Sequence, residues 1–428
     1  MRQYYIREGA EMRDINTAEK KYWNIRVDFG LFLFVMGIPI GRIIFEFLKI
    51  DQSKSSFSFS NIFMVLGILL VIDYDNLLKC RLPRLKKYTL CYVAFVIYIL
   101  FSLAFSARAE QTNYMHMFFS IAEIVAISTQ DENLTSKYFI PIIFYCGFIY
   151  VFYCAILSTN SFTDFHFYSV QAFKYGTSKM STTRGVLYVL TAMLVYDEKK
   201  GYIKLIKLIA VLCAVFTFLT VRVRTVFVSL FLTVMVYFFL KGKSKKQDKK
   251  KVMREIVSIG VVLIIVVGVM QSIPSMGNKI IASINTTISA MNTFLGRGGD
   301  DYSAGVRVGI RQWISSYYSE NLNLFTGIFG FGYVKYLDMP VVQAFFDFGI
   351  FGFFYLYYMI LKPMSFIKRR KYTAFQTYII LFMVQNIVDQ IAYMIPYESQ
   401  FHVRVVLMLQ ILMIELKQER IYKLEECK

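Results

Sequence analysis

Asp301-Tyr-Ser-Ala-Gly-Val-Arg-Val-Gly-Ile-Arg-Gln-Trp-Ile-Ser-Ser-Tyr-Tyr-Ser-Glu320 lies within residues 273–340, the longest segment of this chain that a bilayer would not accept. Val306, Ile310, Trp313, Ile314 and Tyr317 recur at helical spacing, so the stretch predicts an amphipathic helix with one apolar stripe. Arg307 and Arg311 stand four residues apart on a neighbouring face, where like charges repel by a few tenths of a kcal/mol, roughly. A helix selected for stability alone would not pair them. One reading is a solvated or headgroup-facing helix; the other is an anion clamp turned toward a substrate.

Outward from this segment the chain becomes strongly apolar. Over its 428 residues it is 56% hydrophobic and 17% aromatic, with a mean hydropathy of +0.48, too apolar for soluble domains. The apolar runs are roughly 16–22 residues long, as a hydrocarbon core demands, and they do not alternate as β-barrel strands would. The expected fold is an all-α polytopic integral membrane protein. It has about twelve transmembrane helices and a large, partly helical extracytoplasmic loop between spans nine and ten.

The net charge of +19 first suggests a nucleic-acid binder. Its distribution argues otherwise, because the basic residues cluster in short loops between apolar runs and act as topology determinants. Residues 1–26 form a basic cytoplasmic segment, and spans one to nine occupy 27–272. The extracytoplasmic loop covers 273–340, spans ten to twelve 341–416, and a basic cytoplasmic tail 417–428. Lys241–Arg254 carries eight basic residues and is the clearest cytoplasmic marker. The first span contains Pro39, which predicts a kink. The second runs from Phe59 to Leu78. The fourth, Tyr114–Thr129, is short and holds Glu123, yet without it the basic run before span nine would face outward. The six cysteines lack metal-ligand spacing, and no metal or cofactor site is expected. No glycine-rich nucleotide loop or serine nucleophile elbow occurs.

With the basic loops inside, the outward arginines become informative: Arg108, Arg184, Arg222, Arg224, Arg297, Arg307, Arg311 and Arg404. Positive residues are disfavoured on that side. They either snorkel to lipid phosphates or bind a diphosphate, whose oxygens suit the bidentate guanidinium. Among the outward carboxylates, Asp338 precedes Met339-Pro340 and span ten. It reads as a general base or as a helix cap. Asp347 and Asp389 lie close to the same side.

Three stretches carry a family resemblance. Lys174-Tyr-Gly-Thr-Ser opens span six. Phe218-Leu-Thr-Val-Arg-Val-Arg-Thr-Val-Phe227 has Arg224-Thr225 where an Arg-Thr pair is expected, with Val223 in place of the usual serine. Gly305-Val-Arg-Val-Gly-Ile-Arg-Gln-Trp-Ile is followed by Gly327-Ile-Phe-Gly-Phe-Gly and by Val341-Val-Gln-Ala-Phe-Phe-Asp-Phe-Gly-Ile-Phe-Gly. In these features the chain resembles the Wzy-type oligosaccharide repeat-unit polymerases, which belong with the O-antigen ligases. The ligases carry a histidine in the large outer loop. None occurs here between His166 and His402, which favours polymerase.

The resemblance implies a glycosyltransferase in the bacterial cytoplasmic membrane with both termini cytoplasmic. It would join polyprenyl-diphosphate-linked oligosaccharide repeat units into capsular or O-antigen polysaccharide. Asp338 and Arg307 would be catalytic, and Arg184, Arg222, Arg224, Arg311 and Arg404 would bind substrate. Expected partners are the lipid-linked oligosaccharide, membrane lipids, and a chain-length regulator and flippase of the same pathway, with no nucleic acid. The alternatives are a flippase or transporter of lipid-linked oligosaccharides, or an O-antigen ligase.

Overall fold

The structure is a computed structural model. It describes residues 2–50, 58–79, 114–130, 136–163, 179–198, 200–221, 224–241, 302–331, 345–352 and 372–392, with single positions at 90, 93, 94, 97, 98, 285, 288, 289, 292, 354, 408, 411 and 412. For Arg224, Arg307 and Arg311 it describes the backbone alone. Every regular element among these residues is helical: α1 (Arg2–Leu48), α2 (Phe59–Val71), α3 (Tyr74–Leu78), α4 (Tyr114–Ser128), α5 (Phe139–Thr163), α6 (Lys179–Val195), α7 (Gly201–Val221), α8 (Arg224–Lys241), α9 (Tyr302–Asn321), α10 (Leu324–Phe329) and α11 (Ala374–Ala392). Within them, Ile25–Leu48, Phe139–Ser158 and Gly201–Phe218 are long and apolar enough to cross a membrane. Phe59–Val71, Ser181–Val195, Thr225–Lys241 and Ala374–Val388 are shorter apolar helices. Spans three, nine, ten and twelve lie wholly or largely outside the described residues.

Helix α6 is the axis of the bundle, packing against α1, α5, α7, α8 and α11. Every described side chain from Ser181 to Met193 is buried. Against lipid tails there is no hydrophobic drive between helices, so close packing and internal hydrogen bonds must hold such a bundle. Both are present. Helices α1 and α2 meet through small residues: a Cβ added to Gly41 would sit 2.5 Å from the Ser60 backbone nitrogen. Buried hydroxyls of Ser128, Ser158, Thr191, Thr217 and Thr233 donate to the carbonyl one turn back in their own helices.

Contacts along the helices fix their directions. Phe144 stacks on Tyr196 at one end of the α5–α6 pair, and the Tyr150 hydroxyl donates to the Thr182 carbonyl nearer the other, so the pair is antiparallel. Asp28 accepts from the Tyr138 backbone N–H at the start of α5 (2.6 Å), and Phe47 meets Tyr153, so α1 and α5 are parallel. Tyr188 meets both Phe382 and Asn386, while Phe139 meets Phe375, so α11 runs against α6.

One polar knot ties several helix ends together. Arg26 donates to the Ile72 carbonyl and Gln130 to the Val71 carbonyl. The Asp73 N–H donates to the Thr129 hydroxyl, and the Asn76 amide donates to Asp73 and to the Thr129 carbonyl. This knot corrects the expected second span. Phe59 to Leu78 is not one helix: α2 stops at Val71, and Asp73 caps the separate α3 by accepting from the Asn76 N–H. Helix α1 continues unbroken through Pro39 and begins at Arg2, well before the apolar run.

Candidate functional site

Arg184 lies one turn into α6 and is only 1% exposed. The sequence reads it as an outward arginine opening span six, and five helices packed around α6 enclose it. Ser181, Thr182 and Thr183 before it are buried as well. A guanidinium this deep in an apolar bundle needs compensating acceptors or counter-charge. The head of α6 is therefore a buried polar cluster in an otherwise apolar bundle. Below it on α6, the Tyr188 hydroxyl donates to the Asn386 side-chain carbonyl (3.3 Å), and the Gln385 amide donates to Thr191. These polar groups extend the strip across to α11.

Arg224 is the first residue of α8. Helices α6 and α8 pack together, and the Tyr237 hydroxyl near the end of α8 donates to the Leu194 carbonyl near the end of α6 (2.8 Å). Lys207 in the first turns of α7 donates to the Tyr196 carbonyl at the end of α6, and Phe218 meets Phe227 where α7 gives way to α8, so α7 runs against both and α6 and α8 run parallel. Arg184 lies ten residues before Leu194 and Arg224 thirteen before Tyr237, which is ~15 Å and ~20 Å along the respective axes. Both arginines thus stand toward the same end, where two helix N-termini also present their positive dipole ends. Arg222 and Arg404 lie outside the described residues.

Arg307 and Arg311 belong to α9, as the periodicity predicts. Their backbone positions flank its apolar stripe. The stripe itself packs as expected: Ile310, Trp313, Ile314 and Tyr317 gather with Tyr318 and Phe331 around Phe346, which is fully buried. Burial, and then the nearby Asp347 carboxylate, push the Tyr318 phenol up to about 12.

Among the described residues, the two glycines with positive φ lie beside α10. Gly330 has φ 83° and ψ 179°, a conformation essentially reserved for glycine, and Gly349 has φ 60°. The two glycines bring two chain segments together. A Cβ on Gly330 would lie 2.2 Å from the Asp347 carbonyl oxygen, and one on Gly349 would lie 2.4 Å from that of Ile328. The Phe331 N–H donates to the Phe346 carbonyl (2.8 Å) across the same junction. The sequence predicts a break over Gly327–Gly332; α10, started by the reciprocal capping box of Asn323 and Thr326, runs into that stretch and ends within it at Gly330. Asp338, chosen from sequence as the general base, lies outside the described residues. Asp347 is fully buried at the junction.

No family model, curated protein or solved structure matches this chain. What the site can do follows from its residues. Arg184 and the backbone of Arg224 stand toward one end of parallel helices, together with two helix N-termini. Sequence reasoning missed the hydroxyl run Ser181-Thr-Thr183 and the amides Gln385 and Asn386. Polar side chains inside otherwise apolar spans were the signal that could have found them.

Proposed function

We propose that this chain polymerises polyprenyl-diphosphate-linked oligosaccharide repeat units by glycosyl transfer at the outer face of a bacterial cytoplasmic membrane. It does so as a protein of about twelve spans with both termini in the cytoplasm. The arrangement of helix ends supports that topology. The start of the apolar part of α1 (Arg26 and Asp28), the end of α2, the end of α4 and the start of α5 meet in one polar knot. Alternating spans one, two, four and five require this of their inner ends.

The observation that carries the reading is the common end shared by Arg184 on α6 and Arg224 on α8. In the reaction the bond between the anomeric carbon and the diphosphate oxygen breaks while the acceptor hydroxyl attacks that carbon. Negative charge grows on the departing polyprenyl diphosphate. Guanidinium groups and helix N-termini held at that end would stabilise this charge, which is the larger catalytic term. The acceptor proton passes to a carboxylate, for which Asp338 is the assignment made from sequence. Arg307 and Arg311 on α9 hold the second anionic face, with Arg222 and Arg404 as further phosphate ligands. No nucleotide sugar is needed, because the diphosphate linkage already stores the driving force.

Arg224→Ala tests the assignment. Chain extension in membranes should be lost, with single lipid-linked repeat units accumulating at unchanged protein level. Wild-type glycan length at normal protein level would reduce Arg224 to a lipid anchor and remove the observation on which the reading rests.

A further inference from the structure

Helix α10 and the residues around it leave an apolar face uncovered. Leu324 is 83% exposed, Phe325 68% and Leu322 57%, and residues 322–331 include no charged side chain. The face is continuous with the exposed side of the apolar segment at 345–354. Phe325 stacks on Phe329 (4.8 Å between ring centroids) and Phe329 on Phe351 (5.9 Å), with Ile350 and Phe354 exposed beyond. It also reaches the predicted third span, since Phe351 meets Tyr98 (6.2 Å).

In water, three large apolar side chains presented together carry a hydrophobic penalty that a loop normally avoids by folding them in. Several of the polar groups at both ends of α10 meanwhile find partners inside the protein. Asn323 and Thr326 cap its start reciprocally. At its end the Phe329 carbonyl accepts from the Tyr98 hydroxyl (2.9 Å), and the Gly330 N–H returns to the Thr326 carbonyl. A hydrocarbon environment imposes that requirement on any backbone it admits, whereas water does not. A helix of six residues spans only ~9 Å, so it enters the bilayer without crossing it.

We propose that residues 322–331 form a wedge inserted among the acyl chains of the outer leaflet, against the third and tenth spans, with Asn321 and Asn323 at headgroup level. The expected extracytoplasmic loop is then not wholly aqueous. Part of it is a membrane-contacting device that anchors the far end of α9, and with it the helix bearing Arg307 and Arg311. Its placement in the outer leaflet rests on the topology proposed above, while insertion itself depends on the bilayer and not on glycosyl transfer, so it stands or falls independently of chain extension.

The test uses the full chain reconstituted in vesicles, with Phe325→Trp as a near-conservative reporter and Leu324→Trp as a second. The emission of the two native tryptophans, Trp23 and Trp313, is subtracted using the parent protein. Gln312→Trp, at an exposed position on α9, is the aqueous control. The added emission at 324 and 325 should be blue-shifted, lost in vesicles of brominated phosphatidylcholine and unaffected by iodide, with the reverse at 312. Quenching by iodide at 324 and 325 would overturn the wedge. Protection from both quenchers would overturn it too, because protein rather than lipid would then cover the face.

Discussion

Replacing Arg184 with methionine should slow glycan extension by about a hundredfold or more while the protein still inserts and elutes as a single species in detergent. The side chain is enclosed at the head of the helix around which the bundle is built. Methionine keeps most of the packing volume and removes the charge. Each charge-assisted hydrogen bond lost from the leaving diphosphate costs about 1.5–3 kcal/mol, or roughly ten- to a hundredfold in rate, and a guanidinium makes more than one. Part of any loss would come from groups left uncompensated in the bundle. Arg184→Lys separates the two effects. Lysine keeps the charge but lacks the planar fork of donors, so it should restore normal thermal stability without restoring the extension rate. Full recovery of rate by lysine would show that Arg184 supplies charge alone.

Gly330→Ala should produce the largest structural effect of any single methyl group in the described chain. The added carbon would meet backbone, the Asp347 carbonyl oxygen at 2.2 Å, which no change of rotamer can relieve. The backbone at φ 83° and ψ 179° is also strained for alanine, at about 1–3 kcal/mol. Overpacking adds about 1–3 kcal/mol more. The junction between α10 and residues 345–349 should open. Protease should then cleave near 322–331, and the melting temperature of the purified protein should fall by several degrees. Gly309→Ala is the matched control. Gly309 sits in α9 with open space where its Cβ would go, so alanine should leave stability unchanged or raise it by about 0.5–1 kcal/mol through helix propensity. Equal behaviour of the two variants would mean that the glycine junction bears no strain.

The features legible in the sequence are those set by local pattern. Apolar runs at about 203–220, 225–240 and 374–391 place α7, α8 and α11 closely, and the run at about 138–157 finds α5 but stops six residues short of its end. The spacing of Ile310, Trp313, Ile314 and Tyr317 predicts both α9 and the face it buries. What escaped the sequence depends on partners far along the chain. The second span breaks at Ile72–Asp73 because Asp73 finds Thr129, fifty-six residues away, as a hydrogen-bond partner. Two glycines three apart, Gly327 and Gly330, look alike in sequence. Only Gly330 meets the backbone of Asp347, so only Gly330 takes the glycine-specific conformation. Arg184 looked like an interfacial arginine because the flanking composition shows one helix. Its burial comes from the five helices packed around it. Asp347 was visible as a carboxylate near the outer side, but its enclosure between Phe346 and Phe348 comes from the α9 and α10 contacts.

The central claim is that this membrane protein makes glycosidic bonds between lipid-linked repeat units. The most direct measurement supplies purified, reconstituted protein with polyprenyl-diphosphate-linked oligosaccharide repeat units alone, without nucleotide sugar, and resolves the products by length. The account predicts a ladder rising in whole repeat units, with free polyprenyl diphosphate released once per bond formed. Repeat units that stay single, while the protein moves them from one leaflet to the other, would contradict it and identify a transporter.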